Sequence, residues 1–269
     1  MSDLHLSRRQ LLRISGISIA GTIALAACGK QADVEESSNI ASAGTVPPTT
    51  ALPSAEVNDI VLLRTAASLE YNAIDTYELA LSAGLLTGDY ASLADAVKRF
   101  RDDHQEHADA VNKLIVALGG KPFTCANTRI NDVYIQPAVE LITAEGNPDA
   151  AVDTVALAHA LENIAAQTYQ GVVGMLSTPA LRADAMRIGQ DEARHAVVLA
   201  QVLNPGYASV GPTVNAATGR PNIASVPGAF GGLGSVSLTI GTPNAEGQKT
   251  NLVLETPSLN SLVYDYVSC

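Results

Sequence analysis

The 269-residue sequence predicts an all-α fold: an up-down four-helix bundle over residues 56–203, with a long crossover between helices two and three and an irregular C-terminal extension. Three observations predict it. Hydrophobic residues make up 47% of the chain although Trp is absent and Phe occurs only three times, so the core must be built from Ala, Leu, Val and Ile. Those residues suit closely packed helices better than an aromatic-rich sheet. Four long segments carry apolar residues at helical spacing. The first pair of these segments also repeats in the second pair.

The first helix is expected from about Glu56 to Ser82, where Ile60, Leu63, Ala67, Ile74 and Leu81 form an apolar stripe that ends at Gly84. The second runs from about Tyr90 to Leu118 and stops at Gly119-Gly120. The third begins near Pro148, a residue suited to a first helical turn, and continues to Leu176. The fourth runs from about Pro179 to Leu203 and is closed by Asn204-Pro205-Gly206. Short links make one-two and three-four antiparallel hairpins. The link from Gly119 to Asn147 is long enough to cross the bundle, with room for a short helix around Ala138 to Thr143.

Residues 1–27 read as an address. Ser7-Arg8-Arg9-Gln10-Leu11-Leu12 precedes an apolar stretch from Ile14 to Ala27 that is shorter than the ~20 residues of a spanning helix. The string resembles a twin-arginine export signal, a route for proteins already folded. Leu25-Ala26-Ala27-Cys28 resembles a bacterial lipobox, which makes Cys28 the expected lipidated first residue of the mature chain on the extracytoplasmic side of the membrane. The alternative is a chance Cys in an ordinary cleaved signal. Taking Arg8, Arg9 and Arg13 from the 16 basic and Asp3 from the 27 acidic side chains leaves 13 and 26, a formal charge of −13. Membrane attachment must then come from lipid and not from a basic patch, and a nucleic-acid partner is excluded for want of a basic face. Residues 28–55, rich in Ser, Ala, Thr and Pro, read as a flexible tether.

The repeat carries the chemistry. Leu69-Glu70-Tyr71-Asn72-Ala73-Ile74-Asp75-Thr76-Tyr77 aligns with Leu161-Glu162-Asn163-Ile164-Ala165-Ala166-Gln167-Thr168-Tyr169. Asp103-His104-Gln105-Glu106-His107-Ala108 aligns with Asp191-Glu192-Ala193-Arg194-His195-Ala196, His104 standing opposite Glu192. A carboxylate in the middle of an apolar helix is costly unless paired or bound to a cation, and Glu70 and Glu162 sit in that setting. Residues at i and i+3 share a helix face, so His104 with His107, and Glu192 with His195, can each turn two donors to one centre. Glu106 points ~100° away from His107 around the helix. Asp103 and Asp191 suit the task of orienting a ligating His on a neighbouring helix. Tyr77 and Tyr169 share a face with their glutamates and are expected in the core, with bonded hydroxyls. His159, one turn before Glu162, is expected to be structural.

This pattern resembles the ferritin-like di-iron and di-manganese carboxylate proteins, in which two helices each give a Glu and the other two each give a Glu-x-x-His. Asp191 to His195 is similar to the last motif of rubrerythrin-type members, and the chain as a whole resembles exported bacterial ferritin-like domain proteins. The resemblance covers roughly residues 56–203. It implies a pair of metal ions, Fe or Mn, held by Glu70, His104, His107, Glu162, Glu192 and His195, with oxidase, ferroxidase or peroxide-consuming activity. One position departs: His104 stands where the pattern has a bridging Glu. That removes a carboxylate bridge, lowers the ligand charge by one and brings Zn or Cu into range. The electron donor, substrate and oligomeric state are not identified by any residue, though tether, lipid and tail all argue against a closed storage cage. The rival reading is a metal-free bundle acting as a non-enzymatic surface or interaction scaffold.

After lipidation of Cys28, Cys125 and Cys269 remain, and an exported pair favours a disulfide between them over two free thiols. Residues 204–269 read as an extension wrapped over the bundle. Ser235 to Ile240 and Asn251 to Glu255 alternate as a short β-hairpin would.

Overall fold

Asn58 opens the bundle, its side chain accepting the Val61 N–H at 3.0 Å, and this cap starts α1 (Asp59–Ser82) three residues later than apolar spacing suggests. A computed structural model provides the structure, which describes residues 56–203 and 235–269. The export string, Cys28 and the tether therefore lie outside the described residues. A 3₁₀ turn (Gly88–Leu93) leads into α2 (Ala94–Ala117). There Gly119 takes φ 84°, which a side chain would resist, and the Gly120 N–H returns to the Ile115 carbonyl at 2.9 Å.

The crossover is more helical than the sequence suggests. Its helix α3 runs as Thr128–Ile130, a π-helical stretch Asn131–Ile135, and Gln136–Ile142. The wide turn sits immediately before Pro137, which has no N–H to give and whose ring crowds the carbonyl four residues back. Helix α4 (Ala150–Val173) begins just after Pro148 and Asp149, and α5 (Pro179–Leu203) reaches the edge of the described residues. No described helix is long and apolar enough to cross a membrane.

Helices α1 and α2 pack as one hairpin and α4 and α5 as the other, while α2 and α5 meet only sparsely. Gly189 of α5 sets the second hairpin: a Cβ there would meet the Tyr169 Cβ at 3.0 Å, so its absence lets α5 press against α4 beside that ring.

Two roofs cover the inner helices. Strands β1 (Ser235–Ile240) and β2 (Thr250–Glu255) pair antiparallel, Ser235 opposite Glu255 and Ile240 opposite Thr250. Leu238, Ile240 and Leu254 pack on Leu157, Ala160 and Ile164 of α4. Each such side chain is worth ~1.5–3 kcal/mol of burial. Buried Asp153 fixes the hairpin's end, accepting from the Gly241 N–H at 2.9 Å and from Lys249 Nζ at 2.8 Å.

The final residues roof α1, and so every residue from Val61 to Glu70 is buried, not just a stripe. Arg64 lies over the Phe123 ring and donates to the Val267 carbonyl, and Thr65 Oγ1 accepts the Val263 N–H at 2.8 Å. Asn127 joins α1, crossover and tail, its Nδ2 donating to Ser68 Oγ at 3.0 Å and to the Ser261 carbonyl at 2.8 Å. Cys125 and Cys269 form a disulfide, with Cα atoms 5.7 Å apart.

Candidate metal centre

Glu70 on α1, Glu162 on α4, His104 and His107 on α2, and Glu192 and His195 on α5 all turn into one interior volume, none more than 8% exposed. Helical spacing places them there. Thr65 and Thr168 keep their own hydroxyls satisfied by bonding back to the Val61 and Ile164 carbonyls, which lets polar residues share this dry stretch.

Four-residue groups able to hold a cation form twice, Glu70 with His104, His107 and Glu192, and His104 with Glu162, Glu192 and His195. In the first, His104 Nδ1 lies 2.7 Å from Glu70 Oε2, and His107 Nδ1 lies 2.8 Å from Glu192 Oε1. In the second, His104 Nε2 lies 3.2 Å from Glu162 Oε1, and His195 Nδ1 lies 3.3 Å from Glu162 Oε2 and 3.6 Å from Glu192 Oε2.

Short separations do not mean satisfied atoms. His107 Nδ1, His195 Nδ1, Glu162 Oε2 and both oxygens of Glu192 are buried without a hydrogen bond, because the close approaches lack the alignment one requires. A buried polar atom left unpaired costs ~1–3 kcal/mol, and more if charged. Five of them converging on one volume, from carboxylates and imidazoles, fit a bound cation.

The surrounding side chains follow the internal repeat with crossed partners. Tyr77 of α1 donates its hydroxyl to Glu162 Oε1 of α4, and Tyr169 of α4 donates to Glu70 Oε1 of α1. On the outer side, His195 Nε2 lies 3.3 Å from Asp103 Oδ2 and His107 Nε2 lies 3.7 Å from Asp191 Oδ2. Each Asp therefore faces a His on the opposite helix, and each is gripped by a neighbouring arginine, Arg99 or Arg194. The crossing of the tyrosines was not readable, since spacing gives a shared face but not which helix supplies the partner.

Without a cation the cluster balances itself with protons. Burial alone would lower His107, but the carboxylates of Glu192 and Glu70 outweigh it and push the ring up to about 10. Burial likewise opposes charge on His195, yet Glu162 and Glu192 raise it to about 9. His104, fully buried, is held well above the ordinary range by Glu192 and Glu162. Burial would raise Glu70, but His104 and His107 hold it down at about 2. Glu162 is lowered too, by His104 above all, against the effect of burial. Glu192 moves the other way: burial, with Glu70 and Glu162 nearby, raises it.

Of the other candidates, Glu106 is exposed. His159 is buried beside Asn163, whose Nδ2 donates to the His159 carbonyl at 2.9 Å, and it belongs to neither four-residue group. A small cavity of about 30 Å³, walled by Leu69, Ala73, Ala158 and Ile164, reaches Tyr77, His104 and Glu162 from between α1 and α4. A family model described as a ferritin-like domain matches residues 58–205, more than half of the chain. No curated protein matches it.

Proposed function

Because the chain belongs to the ferritin-like domain family, we propose that it is an exported, lipid-anchored protein that holds two metal ions inside its bundle and acts as an oxidase, ferroxidase or peroxide-consuming enzyme. The observation that carries the reading is the set of five unpaired buried atoms on His107, Glu162, Glu192 and His195. Glu70, His107 and one oxygen of Glu192 would hold one ion, and Glu162, His195 and the other oxygen the second, with His104 between them. Iron or manganese bound there would supply electrons to dioxygen or peroxide.

The chain's own residues do the rest. Tyr77 and Tyr169 orient the carboxylates of Glu162 and Glu70 and keep a hydroxyl proton beside each. Asp103 fixes the ring of His195, and Asp191 stands behind His107. The apolar cavity between α1 and α4 gives a small molecule a place beside Tyr77, His104 and Glu162. The Arg8-Arg9 string and Cys28 support export after folding and anchoring by lipid. Metal loading could then precede export.

Metal analysis of the purified mature protein, after loading with Fe²⁺, Mn²⁺ or Zn²⁺, tests the reading. About two ions per chain are expected, and none after loading would overturn it. A second reading has an observation of its own. Three imidazoles and three carboxylates offset one another's charge in place, which favours a metal-free bundle serving as a surface scaffold. Zero ions under every loading condition would select it.

A further inference from the structure

We infer that His104 is the bridge of this centre, its two ring nitrogens each serving one of the two donor groups so that a single imidazole links both ions. The inference rests on the metal-binding reading above.

Only His104 and Glu192 belong to both groups. Glu192 can do so because it has two oxygens, Oε1 beside His107 and Oε2 toward His195. The imidazole of His104 offers the same duality through a rigid ring: Nδ1 lies 2.7 Å from Glu70 and 3.7 Å from Glu192 Oε1, whereas Nε2 lies 3.2 Å from Glu162. A ring free to turn could choose one side. This one is 1% exposed and stacked on Tyr77, centroids 5.6 Å apart and planes at 28°, and so both nitrogens are held facing their groups.

Charge points the same way. Two divalent ions bring four positive charges, and Glu70, Glu162 and Glu192 return three. The remainder would be an uncompensated charge in a dry interior. Neutral histidine keeps one N–H and one lone pair. Ligation through both nitrogens releases every ring N–H proton to bulk water, makes the ring an anion and brings the ligand charge to four. No electron moves in this step. What the sequence suggests as the loss of a bridging carboxylate is thus the exchange of an oxygen bridge for a nitrogen one, and it favours ions that prefer imidazole, Zn²⁺ and Cu²⁺ among them.

The test uses the full mature protein loaded with Cu²⁺ alone or Zn²⁺ alone, alongside His104→Gln. The wild type is expected to bind two Cu²⁺ whose electron paramagnetic resonance signal weakens as the second ion enters, because the unpaired spins couple through the ring. His104→Gln should lose the second Zn²⁺ and the coupling. Two uncoupled ions in the wild type, or a coupled pair retained in His104→Gln, would overturn the bridge while leaving the two-ion reading intact. One ion or none in the wild type would remove that reading and the bridge with it. Should His104→Gln fail to fold, a crystal structure of the Zn²⁺-loaded wild type decides: a Zn²⁺ on each ring nitrogen of His104 supports the bridge, and a ring nitrogen without one overturns it.

Discussion

Helices α1 and α4 are buried on almost every side, whereas α2 and α5 each keep a face in water. The first pair gives the site a single glutamate and a single tyrosine per helix; the second gives histidines, Glu192 and the outer aspartates. What separates the pairs is the roofing. The last residues of the chain cover α1 and the β-hairpin covers α4, while nothing described covers the outer faces of α2 and α5. Glu70 and Glu162 thus lie on the roofed helices, while Glu192 and His104, no less buried, come from helices whose other face is in water. On the wet side Asp103 and Asp191, partly exposed, stand behind His195 and His107.

If the roofs keep the inner helices dry, removing roof contacts should hurt most. Ile240→Ala, which empties part of the hairpin contact with α4, should lower unfolding free energy by ~2–5 kcal/mol in urea titrations. A loss near that of an exposed position would mean the hairpin is ornamental. Next comes the other roof. Replacing Cys125 and Cys269 with Ser should cost ~2–4 kcal/mol, measured the same way. The metal count should stay at two, since the tail touches none of the six candidate ligands.

Changes on the wet side should be smaller in stability and larger in binding. Asp103→Asn and Asp191→Asn should each weaken Zn²⁺ affinity ~10–100-fold by calorimetry, with a near-normal melting temperature. The Asp103 change should be the stronger of the two, because its oxygen lies closer to its His.

A fourth comparison sharpens the contrast by pH. His107 and His195 are raised in the fold, to about 10 and about 9, from an ordinary 6.5. Their contribution to metal-free stability is complete below 6.5 and disappears as pH climbs through 9 to 10. Glu70 is lowered to about 2 from 4.5, so its contribution is complete above 4.5 and lost as pH falls through 2. Metal-free protein should therefore be most stable from about pH 4.5 to 6.5. If Zn²⁺ takes the place of the ring protons, the melting-temperature gain on loading should widen from pH 6 to pH 9. A constant gain would mean the imidazoles are not ligands.

Much of this was legible in the sequence. The helix pairs, the long crossover and the hairpin strands follow from local signals: apolar spacing, glycine stops, alternation. The clustering of Glu70, Glu162, Glu192 and the three histidines follows from the internal repeat, which the helical period converts into a shared interior. Local signals could not reveal that Arg64, Thr65 and Ser68 would be buried, because their partners Val267, Val263 and Asn127 are far along the chain. Nor could they show that the His104 ring would face both groups. Spacing predicts a side chain's direction, whereas the two-sidedness of a ring depends on what it stacks against.

The bond between Cys125 and Cys269 ties the chain's last residue back to the crossover, closing a covalent loop that contains α3, α4, α5 and everything after them. A protease that cuts once anywhere inside that loop, the stretch 204–234 included, opens a circle without releasing a piece. Both fragments travel together until a reductant parts them. A nick there would leave the hairpin covalently joined to the bundle it covers.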